Sequence, residues 1–407
     1  MVIPVGLYLS VPFCKAKCSF CNFASNAFGT QKMGIYVERL CEEIAGARKA
    51  AERLGAGLSP EADSIYFGGG TPSLLGPKLL LRIFSAVRDQ FKVATDAEVT
   101  VECAPGQISD ETLEELLRQG VNRISLGVQS FVDREARAVG RLHTGASCHE
   151  EIARLRSAGV ENIGIDLIAG LPHQTEASWK NTLDQTLTSG VDHVSVYMLE
   201  VDDGSRLGQE ALAGGHRYGA GDLPSEDESA AWYELACERL NAGGIRQYEI
   251  SNFARDGYKS RHNQKYWCRL PYLGFGLDAH SMLLTEDAAV RFQNTDDLDC
   301  YMVRQLLQGE PLAVLSDKTS KIEPEFIRRE AALEESLFLG LRLVDGVNLE
   351  QLTKKFGHEL VASIRPGIEE ACEAGLLDWT GNFVRLTSQG RMASNEVFSR
   401  LLIPAIA

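Results

Sequence analysis

No apolar run in the 407-residue chain reaches the ~18–20 residues that a membrane span requires. The first residues hold no cationic segment and no small-residue cleavage site of the kind that marks a secretory leader. Positive charge is short: 41 Lys and Arg stand against 56 Asp and Glu, and a formal charge of −15 disfavours nucleic acid or an anionic membrane as general partners. Low-complexity tracts and internal repeats are missing too, and a 44% apolar content is enough to bury a core, which excludes disorder. These absences leave a globular protein expected in the cytoplasm. Thiols stay reduced there, so ten cysteines read first as buried hydrophobes or metal ligands, and only then as disulfides.

What is present is an alternation. Short apolar runs at 5–10, 64–67, 98–102, 122–126, 162–168 and 193–199 are separated by amphipathic stretches, among them 34–54, 78–89, 110–119 and 148–157. Strands alternating with helices make a parallel sheet. Six such units predict an α/β fold with a partial TIM-like (β/α)6 barrel and its chemistry at the carboxyl ends of the strands. The Gly-, Asp- and Ser-rich stretch 202–226 reads as an excursion or linker before a helix at 228–242. Beyond 323, helices at 331–342, Leu349–Phe356 and 360–374 precede two short strands joined at a Gly-Asn turn, a winged-helix-like helical module. Glu369, Glu370 and Glu373 stand there against a single Arg365, the wrong sign for phosphates, so the module is expected to cap the barrel or dock a partner rather than bind DNA. The expected domains are 1–200, 201–322 and 323–407.

The strongest local signal is Cys14, Cys18 and Cys21, a C-x3-C-x2-C run directly after the first strand. Three thiolates this close converge on one metal centre, yet are one short of a closed four-cysteine site. A four-iron cluster with one open iron satisfies that count; a zinc site completed by a distant His, or a chance group of core cysteines, are the structural alternatives. After the second strand comes Gly68-Gly69-Gly70-Thr71-Pro72, where the missing Cβ atoms let backbone approach a ligand. Polar groups also emerge at later strand ends: Glu102, Gln129, Arg141 soon after, and Asp166.

The cysteine spacing in this context resembles the radical SAM superfamily. With Phe67–Ser73 of the sequence, Gly127-Val128-Gln129-Ser130-Phe131, Gly140-Arg141 and Gly170-Leu171-Pro172, the chain looks like the oxygen-independent coproporphyrinogen III oxidases and their HemW-type heme chaperone relatives. The resemblance implies that Cys14, Cys18 and Cys21 hold a [4Fe-4S] cluster. It implies that Tyr8, Phe20, Gly69, Gly70, Glu102, Gln129, Arg141 and Asp166 contact S-adenosylmethionine (SAM), and that Phe23 frames the adenine pocket. Two departures favour the chaperone branch: Phe23 stands where the oxidases carry a further Cys, and only thirteen residues precede Cys14, where the oxidases have a longer segment. A third is common to both branches, Ser10 where a His is usual.

In the second half, His262-Asn263-Gln264-Lys265-Tyr266-Trp267 offers an imidazole for iron, an Arg261 for propionate and aromatic rings for a macrocycle. A packed core His with interfacial aromatics is the structural alternative. The resemblance implies heme contact for His262, with His280 a lesser candidate. The expected function is therefore heme binding and transfer to an unidentified acceptor protein, served by a reductant such as flavodoxin or ferredoxin. Membrane association is expected only through the acceptor, and the chain is expected to be a monomer or homodimer. The alternatives are radical decarboxylation of coproporphyrinogen III and a related SAM-dependent methyl transfer.

Overall fold

A computed structural model describes residues 3–303 and 324–401; the expected boundary at 322–323 lies outside them. Six strands, Val5–Val11, Glu61–Gly69, Lys92–Cys103, Arg123–Gln129, Asn162–Ala169 and His193–Met198, lie side by side in chain order and all parallel. Period-two alternation decides which face each residue takes. Val5, Leu7, Leu9 and Val11 join Ile65, Phe67, Val99, Val101, Ile163, Ile165 and Val196 in one core beneath the helices. Tyr8, Tyr66, Thr100, Glu102, Ser125, Asp166, Ser195 and Tyr197 occupy the intervening positions and face inward. The barrel therefore has an apolar coat and a polar lumen.

The barrel does not close, as the expected partial fold requires. The first strand also pairs in parallel with Tyr272–Phe275, from which antiparallel strands His280–Thr285, Ala289–Gln293 and Glu325–Ile327 continue outward. At the other edge His193–Met198 meets antiparallel Asn252–Ala254. A short helix, Arg261–Trp267, lies at the amino ends of the first three strands. Glu98 holds its start, accepting from the backbone N–H of Arg261 at 2.8 Å and of His262 at 3.0 Å, and Lys265 reaches the Pro4 carbonyl and Asp63.

The final module joins helices Arg329–Gly340, Leu349–Phe356, His358–Ser363 and Arg365–Glu373 to an antiparallel sheet of Val347–Asn348, Phe383–Leu386 and Leu377–Thr380. Its core shares Met282 and Ala289 with the barrel's edge strands, so the module is packed onto the sheet rather than tethered to it.

Two expectations need correcting. The helix expected at 360–374 is two helices, divided at Ile364, because Pro366 lacks an N–H and opens the second one. The stretch 202–226 is no linker. It folds as helix Arg206–Leu212, capped by the Ser205 hydroxyl, which accepts from the Gly208 N–H at 2.9 Å. That helix braces the cysteine loop: the Leu207 N–H donates to the Ser19 carbonyl at 2.8 Å and the Arg206 guanidinium to the Lys17 carbonyl. Ser205→Ala should cost about 1 kcal/mol, the usual cost of losing such a cap. Amide exchange in residues 17–21 should quicken with it, and unchanged exchange there would show that the brace is idle.

Candidate functional site

The cysteine loop leaves the end of the first strand and is fixed by backbone bonds at both ends. The Cys14 N–H donates to the Asn26 carbonyl at 2.9 Å, the Ser19 N–H to Val139 at 3.0 Å, and the Cys21 N–H to Cys18 at 3.3 Å. All three cysteines are free thiols lining one open cavity of about 620 Å³. Burial pushes the Cys14 thiol up, helped by its neighbours Cys21 and Cys18, while hydroxyls of Ser25 and Thr71 oppose the shift. The Arg141 guanidinium donates to the Cys18 sulfur at 3.4 Å.

Among the described residues no set of three or more His, Cys, Asp or Glu is drawn tightly enough around one point to hold a single metal ion. The donor set nevertheless fits a cluster. Its thiols are on one loop, interact electrostatically, face a common cavity and have a guanidinium ready to offset thiolate charge. Ligand thiols must deprotonate on loading, so cluster assembly would release protons here.

The glycines beside the loop are structural as well as permissive. A Cβ on Gly70 would press on the Phe13 and Val11 carbonyl oxygens at 2.7 and 2.8 Å. The Gly70 and Thr71 amides donate to those same two residues, Val11 and Phe13 respectively, at 2.8 Å. Gly69, at φ +98°, occupies a conformation that side chains disfavour. The pair seats the base of the cysteine loop directly on the second strand.

Across the lumen Glu102 accepts from the Tyr66 hydroxyl at 2.8 Å. Burial, and then the negative charge of Asp166, pushes Glu102 up to about 7. Asp166 is itself raised by burial, against hydroxyl bonds from Ser195 and Ser125 and the charges of Arg123 and Arg141. Gln129 sits at φ +68°, uncommon for a non-glycine residue, where the fourth strand bulges. Phe20, like Leu199, packs against the small cluster of Val139, Ile168 and Leu171. Phe23 is 63% exposed at the rim. The larger cavity thus gathers Phe20, Phe23, Gly69, Gly70, Glu102, Gln129, Arg141 and Asp166 with the cysteines. Tyr8 lines a second, smaller cavity of about 300 Å³, which shares Phe23, Ser25 and Gly69 with the first.

His262 departs from expectation. It is 1% exposed and lines neither cavity. Its Nδ1 is bonded to the Ser64 hydroxyl at 3.0 Å and its Nε2 to the Tyr266 hydroxyl at 2.8 Å. Burial, with Lys265 and Arg123 nearby, pushes the imidazole down to about 3, so it stays neutral. Both ring nitrogens are engaged in the floor of the barrel, and this geometry is the packed core His of the structural alternative. Tyr266, not His262, reaches the smaller cavity.

Several cavity residues were not anticipated. Tyr197 and Met198, 44% and 41% exposed, end the sixth strand in the larger cavity. The alternation His193, Ser195, Tyr197 carried that signal for Tyr197. Arg342 and Arg391 reach the same cavity from the final module, Arg342 with its guanidinium 4.5 Å from the centre of the Trp267 ring. No local motif marks them.

An incomplete parallel barrel with a three-cysteine loop at its mouth is the arrangement of a radical SAM protein. Residues 8–186 match the Radical SAM superfamily, and residues 327–393 match the HemN C-terminal domain. The chain is 34% identical to the heme chaperone HemW of Lactococcus lactis subsp. lactis, over 99% of this chain and 98% of the relative. It is 31% identical to the heme chaperone HemW of Bacillus subtilis, over 97% and 98%. It belongs to the HemW family of radical SAM proteins. Coproporphyrinogen III oxidase (HemN) from Escherichia coli shares the fold, with a TM-score of 0.81 and 23% identity over 98% of this chain and 90% of that one.

Proposed function

We propose that this chain is a heme chaperone, which binds heme and passes it to an acceptor protein. The observation that carries the reading is the end-to-end likeness to heme chaperones of two bacteria at 31–34% identity. The geometry agrees with it: the site is an open cleft with exposed aromatic rings, suited to a flat cargo that must leave again. Phe23 in place of the further Cys of the oxidases supports the same branch.

In this reading Cys14, Cys18 and Cys21 hold a [4Fe-4S] cluster, which supplies a low-potential electron and an open iron for SAM. The chain's own groups do the rest. Arg141 offsets the charge of the thiolates. Gly69 and Gly70 bare the backbone for the methionine end of SAM, while Glu102, Gln129 and Asp166 offer bonds to its polar groups. Tyr8, Phe20 and Phe23 wall the cofactor from water. The electron donor is a flavodoxin or ferredoxin. The acceptor is a separate protein, through which the chain associates peripherally with a membrane; among the described residues no helix is long and apolar enough to cross one. The protein works in the cytoplasm, as a monomer or homodimer, without nucleic acid.

Anaerobically reconstituted protein should bind heme in about a one-to-one ratio, as a single axial site requires, and should leave coproporphyrinogen III unchanged in the presence of SAM and reductant. SAM-dependent conversion of that substrate to protoporphyrinogen IX would overturn the reading in favour of the oxidase.

A further inference from the structure

A cargo with two carboxylates needs cations that are not already committed. Arg261, expected from the sequence to meet a propionate, is committed: it donates to the Asp96 carbonyl, pairs with the Asp96 carboxylate at 3.4 Å and lines neither cavity. The smaller cavity has no Lys or Arg in its wall. The larger one has Lys15, Lys17, Arg141, Arg342 and Arg391 against three carboxylates, in a chain whose net charge is −15. Lys17 donates to the Phe23 carbonyl at 2.9 Å, Arg141 serves Cys18, and Lys15 belongs to the cysteine loop. Arg342 and Arg391 remain.

The packing of the final module brings both to the cavity. Leu343 bridges Glu249, and the Val344 N–H donates to the Tyr248 carbonyl at 3.0 Å, which fixes Arg342 beside residues 249–251. Arg391 acts electrostatically on the Tyr233 phenol, whose hydroxyl donates to the Ile250 carbonyl. The two guanidiniums thus flank the same short stretch. Among the described residues neither makes an ion pair. Arg391 is steadied by neutral oxygens only, the Leu386 carbonyl at 3.0 Å and the Ser388 hydroxyl at 3.2 Å. Arg342 has less: it lies over the Trp267 ring, and neither its buried Nε nor the buried Nε1 of Trp267 has an acceptor. Its charge is felt by Glu249, but burial raises that acid toward its neutral form. Buried donors left unpaired cost free energy that an incoming acceptor would recover.

The wall beside the arginines is apolar. Tyr197, Met198 and Ile250 line it, and the first two are among the exposed large apolar side chains. This end lies across the lumen from the cysteine loop, because the first and sixth strands are opposite edges of the parallel set. An apolar wall with two uncommitted guanidiniums complements a flat apolar ring that carries ionised carboxylates. We propose that Arg342 and Arg391 form a two-point clasp for the propionates of heme, with the ring against Tyr197 and Met198. This rests on the heme chaperone reading above and concerns the carboxylates, not the iron. Trp267 closes the helix that carries His262, so the clasp stands at the end of that helix.

The test is a titration of cluster-loaded protein with ferric heme and with its dimethyl ester, which keeps the ring and iron but has no carboxylate. The wild type should prefer heme. Arg342→Gln should weaken heme binding roughly 10- to 100-fold, the worth of a hydrogen bond to a charged group, and leave the ester unchanged. Arg342→Lys, which keeps the charge without the planar fork, should recover part of that loss. Arg391→Gln should act as Arg342→Gln does; since Arg391 also holds Leu386 and Ser388, melting temperature and iron content report folding, and Arg342→Gln carries the test if Arg391→Gln unfolds. A wild type that binds heme and ester equally, or an Arg342→Gln protein with the full preference for heme, overturns the clasp and leaves the chaperone reading standing. A wild type that binds neither brings down that reading, and the clasp with it.

Discussion

Replacing Cys14, Cys18 and Cys21 together by alanine should abolish iron–sulfur content, against roughly four irons and four sulfides per chain in the reconstituted wild type. The remaining seven cysteines give the cluster nowhere else to form. Cys103 and Cys148 are buried, with thiols that burial pushes up to about 12, and Cys41, Cys237, Cys268, Cys300 and Cys372 are scattered along the sequence away from the loop. The triple variant should nonetheless fold. The loop is seated by backbone bonds from Cys14, Ser19, Gly70 and Thr71, which the substitutions leave in place, and the barrel core of Leu7, Leu9, Phe67 and Val101 lies elsewhere. SAM should lose its anchor at the same time, because the open iron disappears with the cluster. Retention of the full iron content by the triple variant would remove the cluster from this loop, and with it the account of why the loop faces the cavity.

The parts of this site that were legible in the sequence are those written in short spacing. Cys14, Cys18 and Cys21 sit within eight residues, and Gly69 and Gly70 end a strand whose period-two pattern is plain, so loop and strand end could be placed together. The lumen could be read the same way, since Glu102 and Asp166 alternate with apolar neighbours. What failed was decided by partners distant in sequence. The helix Arg261–Trp267 takes its orientation from Glu98, more than 160 residues earlier. That bond turns His262 inward onto Ser64, and nothing within 262–267 records it. Arg342 and Arg391 depend on how the final module packs on the edge strands, again a tertiary matter. The helix at Arg206–Leu212 was hidden differently: its surroundings are so rich in Gly, Asp and Ser that composition outweighed the Ser205 cap. The first five residues of Lys92–Cys103 offer only Val93 and Ala94, both partly buried, before the polar Thr95 and Asp96, which is why that strand was expected to begin only at 98.

Removing either inward carboxylate should weaken SAM binding, and the pH dependence of that binding should identify Glu102. With its acid form held up to about 7 against an ordinary value of 4.5, Glu102 binds a proton in the folded chain that the unfolded chain has already released between those two values. The folded state is then the more protonated one in that window, so stability falls as pH rises through it, and Glu102→Gln should flatten this slope. SAM carries a positive sulfonium, which favours the ionised carboxylate. By reciprocity SAM should bind more tightly at about pH 8 than at about pH 6 in the wild type, with the difference lost in Glu102→Gln. Asp166→Ala removes the charge that repels Glu102, so the pH midpoint should move down, while the lost bonds to SAM should cost roughly 10- to 100-fold in affinity, the worth of a hydrogen bond to a charged group. Ser125 and Ser195, left without their acceptor, face an open, polar lumen where water can bond them, so the chain should stay folded. Calorimetric titration of cluster-loaded protein across this pH range reads both effects. Equal SAM affinity at both pH values in the wild type, together with unchanged affinity in Asp166→Ala, would mean that SAM lies outside the carboxylate-lined lumen.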